Sequence, residues 1–349
     1  MKEFKPDFKN VLKAARNIKS NRTPLYEHVI AEEVMEEIMG TKFMAMHNGT
    51  RSDKEEYFKY YSRFYKSMGY DTVTLERCIG PAMPGSGALG NHMPGAIKNR
   101  EDFERYPWDE VPEIYFKKYG EDFELLAEAM PEGMKAIGGV GNGVFECVED
   151  IVGYTDLCYI SIDDPELYAD LFVAVGNMML KIWREFLERY GDTFCVCRFG
   201  DDLGYKSQTL IPPEDIKAHI IPQYARVIDL IHSYNKPFLL HSCGRIFDVM
   251  DDIIDVAKID AKHSNEDQIA PFSEWVDRYA DRIGNFGGID TDHLCRKSEQ
   301  EIKEIVKDVM EYAVGHGGFA IGSGNSIPAY VPASGYLAMV QAVREIRGD

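Results

Sequence analysis

Two positions apart on one short apolar run, His241 and Cys243 offer an imidazole and a thiol. Alternate residues of an extended segment face the same side, so the two side chains project together. That pair suits a soft or borderline divalent cation, with Zn2+ the natural choice. A bound ion would hold the thiol as thiolate and act as a Lewis acid on an oxygen. The alternative is a packed cysteine beside a hydrogen-bonded histidine. A second cluster, Asp201 and Asp202, places paired carboxylates after an earlier strand. Such a pair binds a cation, positions a base, or caps the turn that follows. Cys195 and Cys197 repeat the two-residue spacing but lie deeper in their strand and read as core. Cys78, Cys147, Cys158 and Cys295 have no partner at ligand spacing.

Short β-rich runs alternate with longer helical patterns, which predicts parallel strands joined by crossover helices. The expected strands are 23–28, 71–76, 135–145, 194–204, 237–244, 259–267, 282–290 and 318–328. Helices are expected over 54–68, 112–130, 165–190 and 212–233, the third opened by Asp164-Pro165. Tyr57, Tyr60, Tyr61 and Phe64 recur at helical spacing and read as core. The stretch 80–107 is rich in Gly, Pro and Asn and reads as a long loop, either a lid or a plain surface connection. Eight βα units without a linker predict a single (β/α)8 TIM-type barrel over 23–349, preceded by a helical extension over 1–22. An open doubly wound sheet is the alternative. No G-x-G-x-x-G follows a first strand and opens a helix, so a dinucleotide site lacks support.

A barrel gathers the C-terminal ends of its strands at one mouth, where catalytic groups come from several strands. The polar residues fall at these ends: Glu27 and His28, Glu76, Asp201 and Asp202, His241 and Cys243, His263 with Asn265 and Glu266, Asp290, and finally Asn325 and Ser326. Strands buried on both faces have little reason to carry charge elsewhere.

Composition narrows the partners. With 58 acidic against 39 basic residues the formal net charge is -19, which repels nucleic acid and anionic membranes. No apolar run is long enough to span a bilayer, and MKEFKPDFKN lacks the apolar stretch of a secretory signal. Seven cysteines without a small-domain framework suit reduced thiols and a cytoplasmic location.

The run FGDDLGYKSQTLIPPEDIKAHIIPQYARVIDLIHSYNKPFLLHSCG, together with FGGIDTD and GSGNSIPAYVP, resembles the uroporphyrinogen decarboxylase superfamily. The resemblance runs from about Thr23 to the C-terminus, is strongest after Phe194, and implies the same barrel. One branch decarboxylates uroporphyrinogen without a cofactor; the other comprises zinc-dependent methyltransferases that work with corrinoid proteins. The decarboxylase branch carries an arginine-rich R-Q-A-G-R stretch after its first strand to grip substrate carboxylates. Here that place is the acidic TPLYEHVIAEEVMEE, and the next strand ends in Glu76-Arg77 where the decarboxylase has an Asp for pyrrole N–H groups. His241 and Cys243 match the H-x-C of the methyltransferase branch. The thiol-specific members add a third ligand in a G-C-G setting, where this chain reads Gly322-Ser323-Gly324.

The third metal ligand is therefore sought among Glu266, Asp202 and His263, with Glu266 ranked first because its strand neighbours that of His241. The resemblance implies a methyltransferase, O-demethylating a methoxylated small molecule onto cobalamin carried by a corrinoid protein, or passing methyl from methylcorrinoid to a thiol. Asp201, Asp202 and Glu76 are the expected catalytic groups. Glu27, His28, Asn265, Asn325 and Ser326 are the expected substrate contacts. Members of the superfamily often pair, so a homodimer is compatible with the resemblance. A cofactor-free decarboxylase and a non-catalytic ligand-binding barrel are the competing expectations.

Overall fold

The computed structural model describes residues 4–90 and 93–349. Parallel strands follow one another in chain order round a curled sheet: β1 (Thr72–Cys78), β2 (Lys135–Gly141), β3 (Phe194–Gly200), β4 (Phe238–His241), β5 (Ala261–His263), β6 (Gly284–Ile289) and β7 (Phe319–Ser323). Helices follow the strands and cover the outer face, giving a TIM-type barrel.

The first expected strand, 23–28, forms no ladder of its own. Leu25 bridges Ile321 and Ile30 bridges Ile327, both in parallel sense. Tyr26 N–H donates to the Ile321 carbonyl at 2.9 Å, and Ile321 N–H donates to the Pro24 carbonyl at 3.0 Å. On the β1 side Thr74 Oγ1 donates to the Glu27 carbonyl at 2.9 Å. Pro24 brings no N–H to a ladder, which limits pairing at this position. The windows expected for β2 to β7 overrun these strands at their C-terminal ends, whereas 71–76 stops two residues short of Cys78. The chain leaves the sheet as soon as it reaches the mouth, as at Asn142, where φ is +61° and the helix Val144–Val152 is about to begin.

The barrel interior is filled by small and aliphatic residues such as Ile137, Cys195, Val196, Leu239 and Ala261. Val11, Ala14 and Ala15 of the helix Lys9–Ala15 join this cluster from the bottom. A Cβ on Gly284, the first residue of β6, would stand 2.3 Å from the Ala14 carbonyl oxygen. The N-terminal helix therefore plugs the lower end and leaves the upper end for chemistry. Tyr57, Tyr61 and Phe64 of the helix Arg51–Met68 are buried as expected, with Tyr60 partly so. Cys195 and Cys197 are both buried. Asp164 caps the helix Pro165–Tyr190, accepting from Leu167 N–H at 2.9 Å.

The loop after β1 is strapped to the helix Val144–Val152. Gly87 N–H donates to Asp150 Oδ1 at 2.8 Å, Ala88 N–H to the Asp150 carbonyl at 3.1 Å and Ile97 N–H to the Ile151 carbonyl at 3.0 Å. Asn91 and His92 of this loop lie outside the described residues. Among the described residues no helix is long and apolar enough to cross a membrane.

Candidate functional site

The loops that leave β3 and β4 are pressed together backbone to backbone. Gly244 has φ +84°, and a Cβ there would lie 2.1 Å from the Gly204 carbonyl carbon. Only glycine meets both demands. This contact brings Asp202 onto Cys243, whose N–H donates to Asp202 Oδ1 at 2.8 Å. Cys243 Sγ lies 3.4 Å from His241 Nε2. Ligand atoms of Asp202, His241 and Cys243 all fall within 4.8 Å of one another. One imidazole nitrogen, one thiol and one carboxylate form a donor set of the kind a catalytic zinc uses, with a fourth position left for substrate. The residues present fit such an ion.

Around the sulfur, Ser264 Oγ and Asn325 Nδ2 each donate at 3.4 Å. Ser264 takes φ +100°, an uncommon conformation for a residue with a Cβ. The buried Lys262 ammonium donates to the Ser264 carbonyl and sits 3.7 Å from the Trp275 ring centroid, bracing that turn. Burial pushes Lys262 down to about 7. Burial, with the Asp202 charge, pushes the Cys243 thiol up to about 12. A dication beside it reverses that preference, since a coordinated thiol is deprotonated.

Glu266, ranked first by the sequence as third ligand, stands outside this group, and Asp202 occupies the place expected for it. Although β5 neighbours β4, it ends at His263, and the turn at Ser264 carries the chain away before Glu266. Glu266 instead lines an adjacent cavity of about 440 Å³ with Asn265, Asp290, Asn325, Ser326 and Tyr330. Asn265 Oδ1 accepts from Gly288 N–H at 3.1 Å, and its buried Nδ2 has no partner among the described residues. Asn325 belongs both to this cavity and to the sulfur's surroundings.

The two aspartates part company. Asp201 is fully buried and accepts from Phe145 N–H at 2.9 Å, from Glu146 N–H at 2.8 Å and from the Tyr224 hydroxyl. It caps the helix Val144–Val152, where the first N–H groups need acceptors. Glu76 pairs through Oε2 with Arg198 Nη2 at 2.7 Å. Arg198 is wholly buried and also donates to the Tyr26 hydroxyl at 2.9 Å, to the His28 carbonyl at 3.0 Å and to His28 Nδ1. With His28, Glu76, Tyr57 and Tyr61 it lines a second cavity of about 270 Å³. Sequence reasoning missed Arg198. The signal was a charge in the middle of a strand whose every residue is buried.

Three histidines meet under Asp202, His241 and Cys243. His28 stacks flat on His241, with ring centroids 3.6 Å apart and planes 10° apart. His241 Nδ1 lies 2.8 Å from His263 Nδ1, and His263 Nε2 lies 3.0 Å from the Ser323 carbonyl oxygen. Burial holds all three neutral: His263 down to about 3, and His28 and His241 well below the usual imidazole range, with nearby positive groups adding to the effect. Ligand nitrogens of the three also fall within 4.8 Å of one another. Imidazole lone pairs lie in the ring plane, so nearly parallel stacked rings cannot converge on a shared ion. The Arg198 cation beside His28 opposes a second cation as well. Beneath them Glu27 is buried, accepts from Ser323 N–H at 3.0 Å and from Ser323 Oγ, and burial pushes it up to about 8.

Two solved structures share the fold. A methyltransferase from Methanosarcina mazei superposes with TM-score 0.73 at 16% identity, covering 98% of this chain and 99% of that one. A protein described as a vitamin-B12-independent methionine synthase from Listeria monocytogenes superposes with TM-score 0.53 at 13% identity, covering 93% and 99%. No curated protein matches the sequence. The uroporphyrinogen decarboxylase (URO-D) family profile matches residues 7–346, nearly the whole chain, and the chain belongs to that family.

Proposed function

We propose that this chain is a methyltransferase that takes a methyl group from a methoxylated small molecule and passes it to a corrinoid protein docked over the barrel mouth. The observation that carries the reading is the convergence of Asp202, His241 and Cys243 at the strand ends. Zn2+ held by these three side chains would supply Lewis acidity toward the donor's ether oxygen. The M. mazei methyltransferase fold leans the same way.

This chain's own residues then divide the remaining work. The cavity beside the ligands takes the donor against Asn265, with Asn325 spanning from substrate to sulfur. Ser326 contacts the donor from the same wall. Ser264 and Asn325 stabilise the thiolate through N–H and O–H bonds to sulfur. Glu76, tied to Arg198, and His28 shape the second cavity on the opposite flank. Glu266 and Asp290 make the first cavity's wall acidic, which disfavours polycarboxylate substrates.

Metal analysis of the purified protein tests the reading, followed by methyl transfer from methoxylated compounds to Co(I) corrinoid with and without chelator. Stoichiometric zinc and chelator-sensitive transfer are expected. No bound metal, or transfer indifferent to chelator, refutes it. Turnover of uroporphyrinogen would select the decarboxylase alternative.

A further inference from the structure

The three histidines can be read for where their protons sit. The Ser323 carbonyl only accepts, so the hydrogen between it and His263 Nε2, 3.0 Å away, belongs to His263. A neutral imidazole carrying that proton has a bare Nδ1. The partner of that atom is His241 Nδ1 at 2.8 Å, which must then donate. His241 is left with a bare Nε2, the atom that lies 3.4 Å from Cys243 Sγ on the Asp202 side.

The register makes this alignment. His241 and His263 are partner residues on the adjacent parallel strands β4 and β5, the last residue of each. Ser323, the last residue of β7, is held in turn by Glu27, which accepts both its N–H and its hydroxyl. A chain of bonds thus runs Glu27, Ser323, His263, His241. Both ring nitrogens of His263 are occupied within it, so His263 has none to spare for an ion.

We propose that His263 is a positioning residue that fixes His241 as the Nδ1–H tautomer and thereby aims its Nε2 lone pair at a divalent metal shared with Asp202 and Cys243. The assignment rests on the metal reading above. It adds that the metal site is built from beneath, by a histidine that never touches the ion and by the buried Glu27–Ser323 pair that anchors it. Ligand orientation by such a partner is worth about 10–100-fold in metal affinity.

Two measurements keep the assignment separate from the metal reading. In metal-free wild-type protein, two-bond 1H–15N correlation NMR reads the His241 tautomer directly. The Nδ1–H form is expected, and an Nε2–H form overturns the proposal. Zn2+ and Co2+ affinities are then taken by competition with a chromophoric chelator. His263→Phe keeps the ring's shape without its bonds and is expected to weaken both ions by about 10–100-fold. His263→Gln, whose amide can accept from His241 and donate to Ser323, is expected to restore most of the affinity and the wild-type Co2+ absorption bands. His263→Phe binding as tightly as wild type overturns the proposal. Wild-type protein that binds neither ion defeats the metal reading instead, while the tautomer measurement still decides the role of His263.

Discussion

Replacing Asp201 with alanine should unfold the protein more easily while leaving the metal ligands in place. The carboxylate accepts from two backbone N–H groups at the start of the helix Val144–Val152 and from the Tyr224 hydroxyl. Each buried donor left without a partner costs about 1–3 kcal/mol. Removing a buried charge beside Asp202 and Glu146 returns part of that, so we take a net loss of about 3 kcal/mol. For a chain of 349 residues, an unfolding entropy of about 2.1 cal/mol/K per residue gives about 0.7 kcal/mol/K, hence a Tm lower by about 4 °C. Space for the carboxylate is tight, since a Cβ on Gly143 would stand 2.2 Å from Asp201 Cβ and Cγ. Calorimetry on metal-free Asp201→Ala reads the first effect, and chelator competition reads Zn2+ affinity. Asp202→Ala should behave oppositely, losing at least about tenfold in affinity with about 1 kcal/mol of stability from the single Cys243 N–H it leaves unpaired. An Asp201→Ala protein with unchanged Tm that loses zinc as fully as Asp202→Ala would refute the division of roles.

Saturating Zn2+, at about a hundred times its Kd, should add about 2.7 kcal/mol and raise Tm by about 4 °C; Cys243→Ser should lose most of that rise in a thermal melt. Glu76→Gln leaves Arg198 buried without a counter-charge and should cost about 3–5 kcal/mol in urea unfolding, whereas Glu76→Gln combined with Arg198→Met should cost less, and simple additivity would contradict the pairing. Glu27 is pushed up to about 8 by burial, against an unfolded value near 4.5. The folded state then holds a proton that unfolding releases, so its contribution is full below about pH 4.5 and is lost as pH rises through 8. Metal-free wild type should therefore lose stability across that window, at most about 1.4 kcal/mol per pH unit from this group, and Glu27→Gln should flatten the slope in pH-dependent denaturant melts.

Sequence alone determined the alternation of strands and helices, the placement of polar residues at strand ends, and the shared face of the H-x-C pair. These are readable because they depend on local periodicity: a two-residue repeat puts His241 and Cys243 on one side, and an apolar run ends where charge begins. Tertiary structure decided what local pattern leaves open. Asp201 and Asp202 are neighbours in the chain, yet one caps a helix and the other meets His241 and Cys243, because successive residues point opposite ways and only packing says what lies on each side. Glu266 follows the strand that neighbours β4, yet the turn at Ser264 carries it to the adjacent cavity. The first expected strand, 23–28, became an extended segment with one bridge, Leu25 to Ile321, because its pairing depends on residues about three hundred positions away. The Arg198 contacts, the stacked His28 and the His241–His263 bond arise only when distant strands curl into one sheet, a long-range event that no window of sequence contains.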